Sequence, residues 1–221
     1  MTAPFTLILI EDDTTSRLAI RSFLQKEKNI QILGEAESAE KAFELLTKTL
    51  PDIALVDFHL GGKGLDGPRL IYYLKKHYPQ LHCISLTIEN NPFLLLQLLD
   101  AGTDAIIRKS GINLLIQAIP LVARGGHIIQ PDIAFELIHA AQERERLSLL
   151  TESEFQYLQL MGKGLPDPSI AKKLHIPLNT LKSRLTSLKR KLRQLSKADL
   201  IALYQRFFPQ HDSRFFRRHA K

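Results

Sequence analysis

The sequence predicts two domains: an α/β domain with a doubly wound, parallel, five-stranded sheet, then a smaller all-α domain. Residues 5–124 alternate five short apolar runs with segments of helical length and periodicity. From about residue 150 onward only amphipathic helical segments follow. The charge divides in the same way, because residues 1–124 carry 13 Lys/Arg and 14 Asp/Glu whereas residues 125–221 carry 17 and 9. Only the second part looks suited to a polyanion, although a solvated basic face would give the same counts.

The predicted strands are short apolar runs of the kind that suits strands buried on both faces of a sheet. They cover residues 5–10, 30–33, 53–56, 82–86 and 104–107. The predicted helices follow them at about 14–27, 38–48, 67–77, 91–101 and 111–124. Five strand–helix repeats imply right-handed crossovers, and ligands of such sheets bind beyond the carboxyl ends of the strands.

The composition narrows the class of protein. With 221 residues and 44% hydrophobic residues, the chain can bury a core in each of two domains. It contains no apolar run of about 18 residues, and its N-terminus lacks the basic region and cleavage site of a signal peptide. Cys83 is the single cysteine, so no intramolecular disulfide can form. We therefore expect a cytoplasmic protein without membrane association.

Polar residues stand where four of the predicted strands end. These are Glu11, Asp12 and Asp13 after the first strand, Asp57 after the third, Thr87 after the fourth and Lys109 after the fifth. Carboxylates gathered at one edge repel each other unless a hard cation lies among them, and oxygen ligands suit Mg²⁺. Taken singly, Asp12 or Asp13 could cap the next helix and Lys109 could be a surface lysine. Together, the four strand ends favour a site.

With this pattern, residues 5–124 resemble the receiver domain of two-component response regulators, which has a flavodoxin-like fold. The resemblance implies that Asp57 accepts a phosphoryl group from a cognate histidine kinase as an acyl phosphate. It implies that Lys109 supplies a cation beside the phosphoryl group and that Thr87 hydrogen-bonds to it.

The resemblance also implies Mg²⁺ as the cofactor. Asp12 and Asp57 would bind the metal, Glu11 would act largely through water, and His59 would offer its backbone carbonyl. We expect the His59 ring to overhang the mouth of the site rather than bind metal.

Three features depart from the receiver pattern. The loop after Asp57 carries Gly61 where the family usually has proline, and its later glycine, Gly67, comes ten residues after Asp57 rather than about eight. Ile88 follows Thr87 where the family prefers a small residue. Ile106 stands where many receivers have a switch aromatic. The element that reports phosphorylation would then be the enlarged loop Gly61–Gly67 or the linker.

Residues 125–147 begin with a glycine pair and end in alternating charges, as in a linker that contains a short helix. The predicted bounds are thus 1–124 for the receiver domain, 125–147 for the linker, 148–206 for the second domain and 207–221 for a basic, aromatic tail. Within the second domain, Thr151 and Glu154 have the spacing of a capping box. Asp167 precedes a proline as an N-cap does, and a further helix follows from Asn179 to about Arg193.

That last helix has an apolar stripe and basic residues on its other faces. Alone it could be a solvated amphipathic helix, but two short helices joined by a tight turn before it favour a helix-turn-helix. Residues 150–206 resemble the LuxR/NarL-type DNA-binding domain, from Leu150-Thr151 through Ser169-Ile170-Ala171 to Lys191-Leu192. His175 stands where that family has a turn glycine.

The resemblance implies contacts with DNA along the second of the two helices. Thr180, Lys182 and Lys191 would bind phosphates, while Ser183, Arg184 and Ser187 would face the groove. Arginine suits bidentate contact with guanine. The helix that starts near Ser196 pairs two copies in the family, which implies a homodimer, although packing within its own domain is an alternative.

These features predict a response regulator, not an enzyme, in which phosphorylation at Asp57 controls DNA binding and transcription. An alternative is a transcription factor whose receiver works through protein contacts without phosphorylation. A flavodoxin-like enzyme that uses residues 61–64 as a phosphate loop is disfavoured, since these residues lack the GxxxxGK[ST] pattern and follow the third strand.

Overall fold

The computed structural model describes residues 3–61, 65–194 and 196–208. It divides into two compact units, Met1–Leu137 and Ile138–Lys221. In the described residues, no helix combines the length and apolar character that crossing a membrane requires.

The first unit is built on a sheet in which every neighbouring pair of strands is parallel. Its strands are β1 (Phe5–Ile10), β2 (Ile30–Ala36), β3 (Ile53–Asp57), β4 (His82–Thr87), β5 (Ala105–Arg108) and β6 (Ile128–Ile129), in the order β2-β1-β3-β4-β5-β6. The parallel, doubly wound arrangement agrees with the prediction.

The sheet has six strands among the described residues, so the expectation of five was wrong. The sixth strand, β6, pairs with β5 and lies within residues 125–147, which the sequence assigned to the linker. It is two residues long. A run of this length has no periodicity, so the pattern of apolar residues could not reveal it.

Helices cover the sheet between successive strands. They are α1 (Thr14–Leu24), α2 (Ala39–Leu46), α3 (Gly67–His77), α4 (Pro92–Asp100) and α5 (Leu115–Val122), and a 3-10 helix, Lys109–Leu114, precedes α5. The first four begin with a side-chain N-cap, supplied by Asp13, Ser38, Asp66 and Asn91.

The core of the first unit explains the continuous apolar runs of the sequence. All five residues of β3 are buried, and Leu7, Leu9 and Leu55 pack with Ile119 in one cluster against α1 and α5. Strands covered on both faces need apolar side chains at successive positions. The polar side chains are therefore left for the strand ends.

A helix of 18 residues, α6 (Pro131–Ser148), begins in the first unit and continues past the boundary into the second. The second unit then contains α7 (Glu152–Gly162), α8 (Asp167–Lys173), α9 (Leu178–Leu192) and α10 (Lys197–Phe207). Their apolar faces share a core whose largest fully buried side chains are Tyr157 and Tyr204.

Local signals in the second unit agree with the sequence in some places and differ in others. Thr151 and Glu154 form the expected capping box at α7. Asp167 was expected as an N-cap, but it is the first helical residue of α8, and its carboxylate instead binds Lys197 Nζ at 2.6 Å. In the turn before α9, His175 adopts a left-handed conformation with φ 53°, which explains why glycine suits this position.

Candidate functional sites

The carboxyl ends of the central strands bring an acidic pair and a lysine together. Asp57 ends β3 and Glu11 follows β1, and their side chains are 5% and 1% exposed. Lys109, which follows β5, places its Nζ 2.9 Å from Asp57 Oδ1 and 2.6 Å from Glu11 Oε2. The parallel sheet thus gathers residues that lie almost a hundred positions apart in the chain.

The electrostatics of this group reflect its burial. Burial raises the pKa of Asp57, and Lys109 opposes part of that rise. The pKa of Glu11 is raised for the same reason. Burial alone would lower the pKa of Lys109, but its contacts with Glu11 and Asp57 outweigh that effect and raise it. The ammonium group is therefore held in its charged form beside Asp57.

The carboxylates at this edge have the arrangement of a cation site. Glu11, Asp12 and Asp57 each contribute one carboxylate oxygen to a group of three that lie within 4.8 Å of one another. Glu11 Oε1 is buried and has no hydrogen-bond partner among the described residues. A set of carboxylate oxygens with an unsatisfied buried acceptor fits Mg²⁺. Asp13 is not part of this set, since its carboxylate accepts a hydrogen bond from Ser16 N at 2.7 Å and caps α1.

Thr87 and His59 both lie next to the loop between β4 and α4. Thr87 is fully buried, and its hydroxyl oxygen accepts a hydrogen bond from Glu89 N at 2.8 Å. His59 Nε2 lies 3.2 Å from Glu89 Oε2, so the ring is directed to that carboxylate. Glu89 thereby connects His59, two positions after Asp57, to the Thr87 hydroxyl.

The two ends of the loop after Asp57 approach the site closely. Gly61 N donates to Asp12 Oδ2 at 2.7 Å. At Gly67 an added Cβ would lie 2.1 Å from the Asp57 backbone oxygen, so only glycine fits there. The middle of the predicted enlarged loop, residues 62–64, lies outside the described residues.

The two isoleucines that depart from the receiver pattern have different environments. Ile88 is 68% exposed beside Thr87, whereas Ile106 is fully buried in β5. Because residue 106 is isoleucine, this position has no aromatic ring that could move between the surface and the interior.

In the second unit, all six residues predicted to contact DNA lie on α9 and are at least partly exposed to solvent. Lys182 and Ser183 are exposed, and Thr180 and Arg184 are half-buried. The Ser183 hydroxyl donates to the Thr180 backbone oxygen at 2.9 Å, a bond within the helix that leaves its oxygen able to accept. This face has the basic and polar character that a groove of DNA requires.

Ser187 and Lys191 are half-buried as well, and both side chains bind an acidic residue of α7. The Ser187 hydroxyl donates to Glu154 Oε1 at 2.7 Å, and Lys191 Nζ donates to Glu154 Oε2 at 2.7 Å. Burial alone would raise the pKa of Glu154, but these bonds and those from Thr151 lower it to about 2. The Ser187 hydroxyl and the Lys191 ammonium group therefore each have a partner within the unit.

Sequence reasoning missed three residues that organise these sites. Gly67 was seen only as a displaced loop glycine, and Glu154 only as half of a capping box. Arg108, next to Lys109, was not considered, although its side chain is only 13% exposed and binds four acceptors. An arginine directly before a predicted site lysine was the available signal, but its partners lie too far along the chain to be inferred.

Comparisons with known proteins identify the family of each domain. Residues 7–120 match the response regulator receiver domain, and residues 148–204 match bacterial regulatory proteins of the luxR family. The response regulator protein VraR of Staphylococcus aureus strain Mu3 is 27% identical over 188 residues, which are 84% of this chain and 89% of VraR.

Among solved structures, the RcsB response regulator of Salmonella typhimurium superposes with a TM-score of 0.75 at 26% identity, covering 91% of this chain and 99% of RcsB. RcsB from Salmonella enterica serovar Typhimurium, bound to the promoter P1flhDC in the presence of the phosphomimetic BeF3-, gives a TM-score of 0.66 at 26% identity, covering 91% and 98%. The chain thus belongs to the response regulators, with a receiver domain and a luxR-family regulatory domain, and is a transcriptional regulator rather than an enzyme.

Proposed function

We propose that phosphorylation of Asp57 controls DNA binding by the luxR-family domain, and hence transcription. The observation that carries this proposal is the position of Lys109 Nζ 2.9 Å from Asp57 Oδ1, inside a cluster of carboxylates at the carboxyl edge of the sheet. A nucleophilic carboxylate beside a fixed cation is the arrangement that phosphoryl transfer requires.

In this reaction a carboxylate oxygen of Asp57 bonds to phosphorus while the bond between phosphorus and the donor breaks. A histidine kinase would be the donor, with its phosphohistidine nitrogen as the leaving group. Lys109 neutralises charge on the phosphoryl oxygens, and the Thr87 hydroxyl donates to one of them. Bound Mg²⁺ would supply further charge neutralisation, held by Glu11, Asp12, Asp57 and the backbone carbonyl of His59.

For DNA, Thr180 and Lys182 would bind phosphates, and Ser183 and Arg184 would read bases. The contacts of Ser187 and Lys191 with Glu154 support a role in fixing α9 rather than in reading bases. RcsB was solved with a promoter and a phosphomimetic, which supports the same pairing of activities here. We propose a homodimer through α10, acting in the cytoplasm where its DNA is found.

The test is incubation with a small phosphodonor and Mg²⁺, followed by intact mass. We expect one phosphoryl adduct on the wild type, none on Asp57→Ala, none after chelation of Mg²⁺, and a retained adduct on Asp13→Asn. Affinity for DNA is then compared with and without the adduct.

A second candidate function is a receiver that works through protein contacts alone. Buried Ile106 in place of a switch aromatic favours it. If the wild type forms no phosphoryl adduct, phosphorylation control is refuted and this alternative is supported.

A further inference from the structure

The Arg108 side chain joins two parts of the first unit that lie far apart in the chain. Its Nη1 donates to the Glu89 backbone oxygen and to Asn90 Oδ1, each at 2.8 Å. On its other edge, Nε donates to Asp132 Oδ2 at 2.9 Å and Nη2 donates to Glu136 Oε2 at 3.1 Å. One guanidinium group therefore binds both the loop between β4 and α4 and the first turns of α6.

The chemistry of this contact depends on arginine. The guanidinium group carries five N–H donors in a fixed plane, and four acceptors around Arg108 occupy both its edges. Lysine keeps the charge but has one nitrogen and no planar fork. It could not hold both parts in the same relative position.

The loop side of Arg108 is connected to the phosphoacceptor site. Glu89 N donates to the Thr87 hydroxyl oxygen at 2.8 Å, and the Glu89 carboxylate lies 3.2 Å from the His59 ring. A movement of the Thr87 hydroxyl toward a phosphoryl group on Asp57 would break its bond with Glu89 N and release Glu89 from β4. Arg108 binds the backbone oxygen of the same residue.

The other side of Arg108 is connected to the helix that leads into the second unit. Asp132 and Glu136 are four residues apart, so they lie on one face of α6. The start of this helix is also held to β5, because Gln130 Oε1 accepts from Arg108 N at 3.0 Å and Gln130 N donates to Ile106 O at 3.1 Å. The chain of α6 then continues past Leu137 into the second unit.

We propose that Arg108 is the residue that couples the loop after Thr87 to α6. In the unphosphorylated protein Arg108 binds both the loop and α6. Displacement of Glu89 on phosphorylation weakens the contact of Arg108 with the loop and changes its contact with α6. This inference rests on the proposed phosphorylation of Asp57. It assigns the reporting of phosphorylation to the half-buried guanidinium group of Arg108. Ile106, which is fully buried and not aromatic, cannot act as a switch aromatic would.

The test measures the DNA affinity of the full chain with and without a phosphoryl adduct, and takes the ratio of the two. Allosteric couplings commonly change affinity by about 5- to 150-fold, and we expect Arg108→Gln to bring the ratio to within about twofold of one. The adduct on Asp57 should still form. Arg108→Lys should lower the ratio as well, since it keeps the charge without the fork.

Variants at each end of the contact separate coupling from a general loss of structure. Asn90→Ala weakens only the loop end, and Asp132→Asn weakens only the α6 end. Each should lower the ratio, and neither should lower it further in an Arg108→Gln background. Arg21→Gln is the matched control, because it removes a guanidinium group from a single ion pair with Glu35 on the same unit.

The outcomes are distinguishable. A wild type without an adduct, or with an adduct that leaves DNA affinity unchanged, refutes the proposed function. If the wild type forms the adduct and changes its DNA affinity, and Arg108→Gln keeps the full ratio, only the proposed role of Arg108 is overturned. If Arg108→Gln does not fold, a wild-type ratio in both Asn90→Ala and Asp132→Asn overturns it equally.

Discussion

Lys191 Nζ lies 2.7 Å from Glu154 Oε2, so α9, the helix with the proposed DNA-contact residues, is fastened to the first turn of α7. The Ser187 hydroxyl binds the other oxygen of the same carboxylate, which is nearly buried. The capping box at α7 is thus also the anchor of α9. The orientation of α9 depends on the ionised form of Glu154.

This anchor should make the second unit sensitive to acid. The pKa of Glu154 is lowered from 4.5 to about 2 in the folded protein, so its contribution to stability is complete above 4.5 and is lost as pH falls toward about 2. We expect Glu154→Gln to lower stability near neutral pH by about 2 kcal/mol and to flatten the dependence between those values. Hydrogen exchange of α7 and α9, compared with the wild type at each pH, measures this. An unchanged pH profile in the variant would contradict it.

Arg184 and Lys182 should differ in their effects on DNA. Arg184→Ala should lower the preference for the specific site by about 1–3 kcal/mol, because one bidentate base contact is lost. Lys182→Ala should weaken all sequences alike and reduce the slope of log affinity against log salt by about 0.9. Titrations of specific and unrelated DNA at several salt concentrations separate the two. Equal weakening of all sequences by Arg184→Ala would show that it does not read bases.

Lys109 should be needed for efficient phosphorylation of Asp57. Lys109→Met removes the cation that lies between Asp57 and Glu11, so charge on the incoming phosphoryl group is not offset. We expect the rate of adduct formation with a small phosphodonor to fall by roughly a hundredfold, the scale for loss of one charge-stabilising group. The exposed Lys48→Met is the matched control and should label at the wild-type rate. Equal rates for both variants would remove Lys109 from the site.

Gly67 should tolerate no side chain. A Cβ would lie 2.1 Å from the Asp57 backbone oxygen and 2.8 Å from that of Phe58, and backbone atoms cannot move aside cheaply. We expect Gly67→Ala to cost about 1–3 kcal/mol and to slow labelling of Asp57. Gly34→Ala is the control, since its Cβ would meet only the Leu45 side chain. Thermal unfolding of both variants measures the difference, and equal midpoints would show that the loop adapts.

Much of the fold could be predicted, because the periodicity of apolar residues distinguishes strands from helices. The start of every predicted strand lies within one residue of the observed start, and the polar side chains at four strand ends were expected at one edge of the sheet. Strand β6 was not predictable, since two residues carry no pattern. The partners of Arg108 were not predictable either, because they come from the loop after β4 and from α6, and no local rule pairs them.

Local patterns in the sequence were enough to predict the first five strands and their helices, the acidic and basic residues at the strand ends, and the helix-turn-helix with its basic helix. These follow from local periodicity, capping and charge. Three sets of contacts became visible only in the folded chain: Lys109 bridges Asp57 and Glu11, Ser187 and Lys191 bind Glu154, and Arg108 joins Glu89 to α6. Such contacts depend on which side chains the packed sheet and helices bring within about 3 Å, a distance that spacing along the chain does not encode.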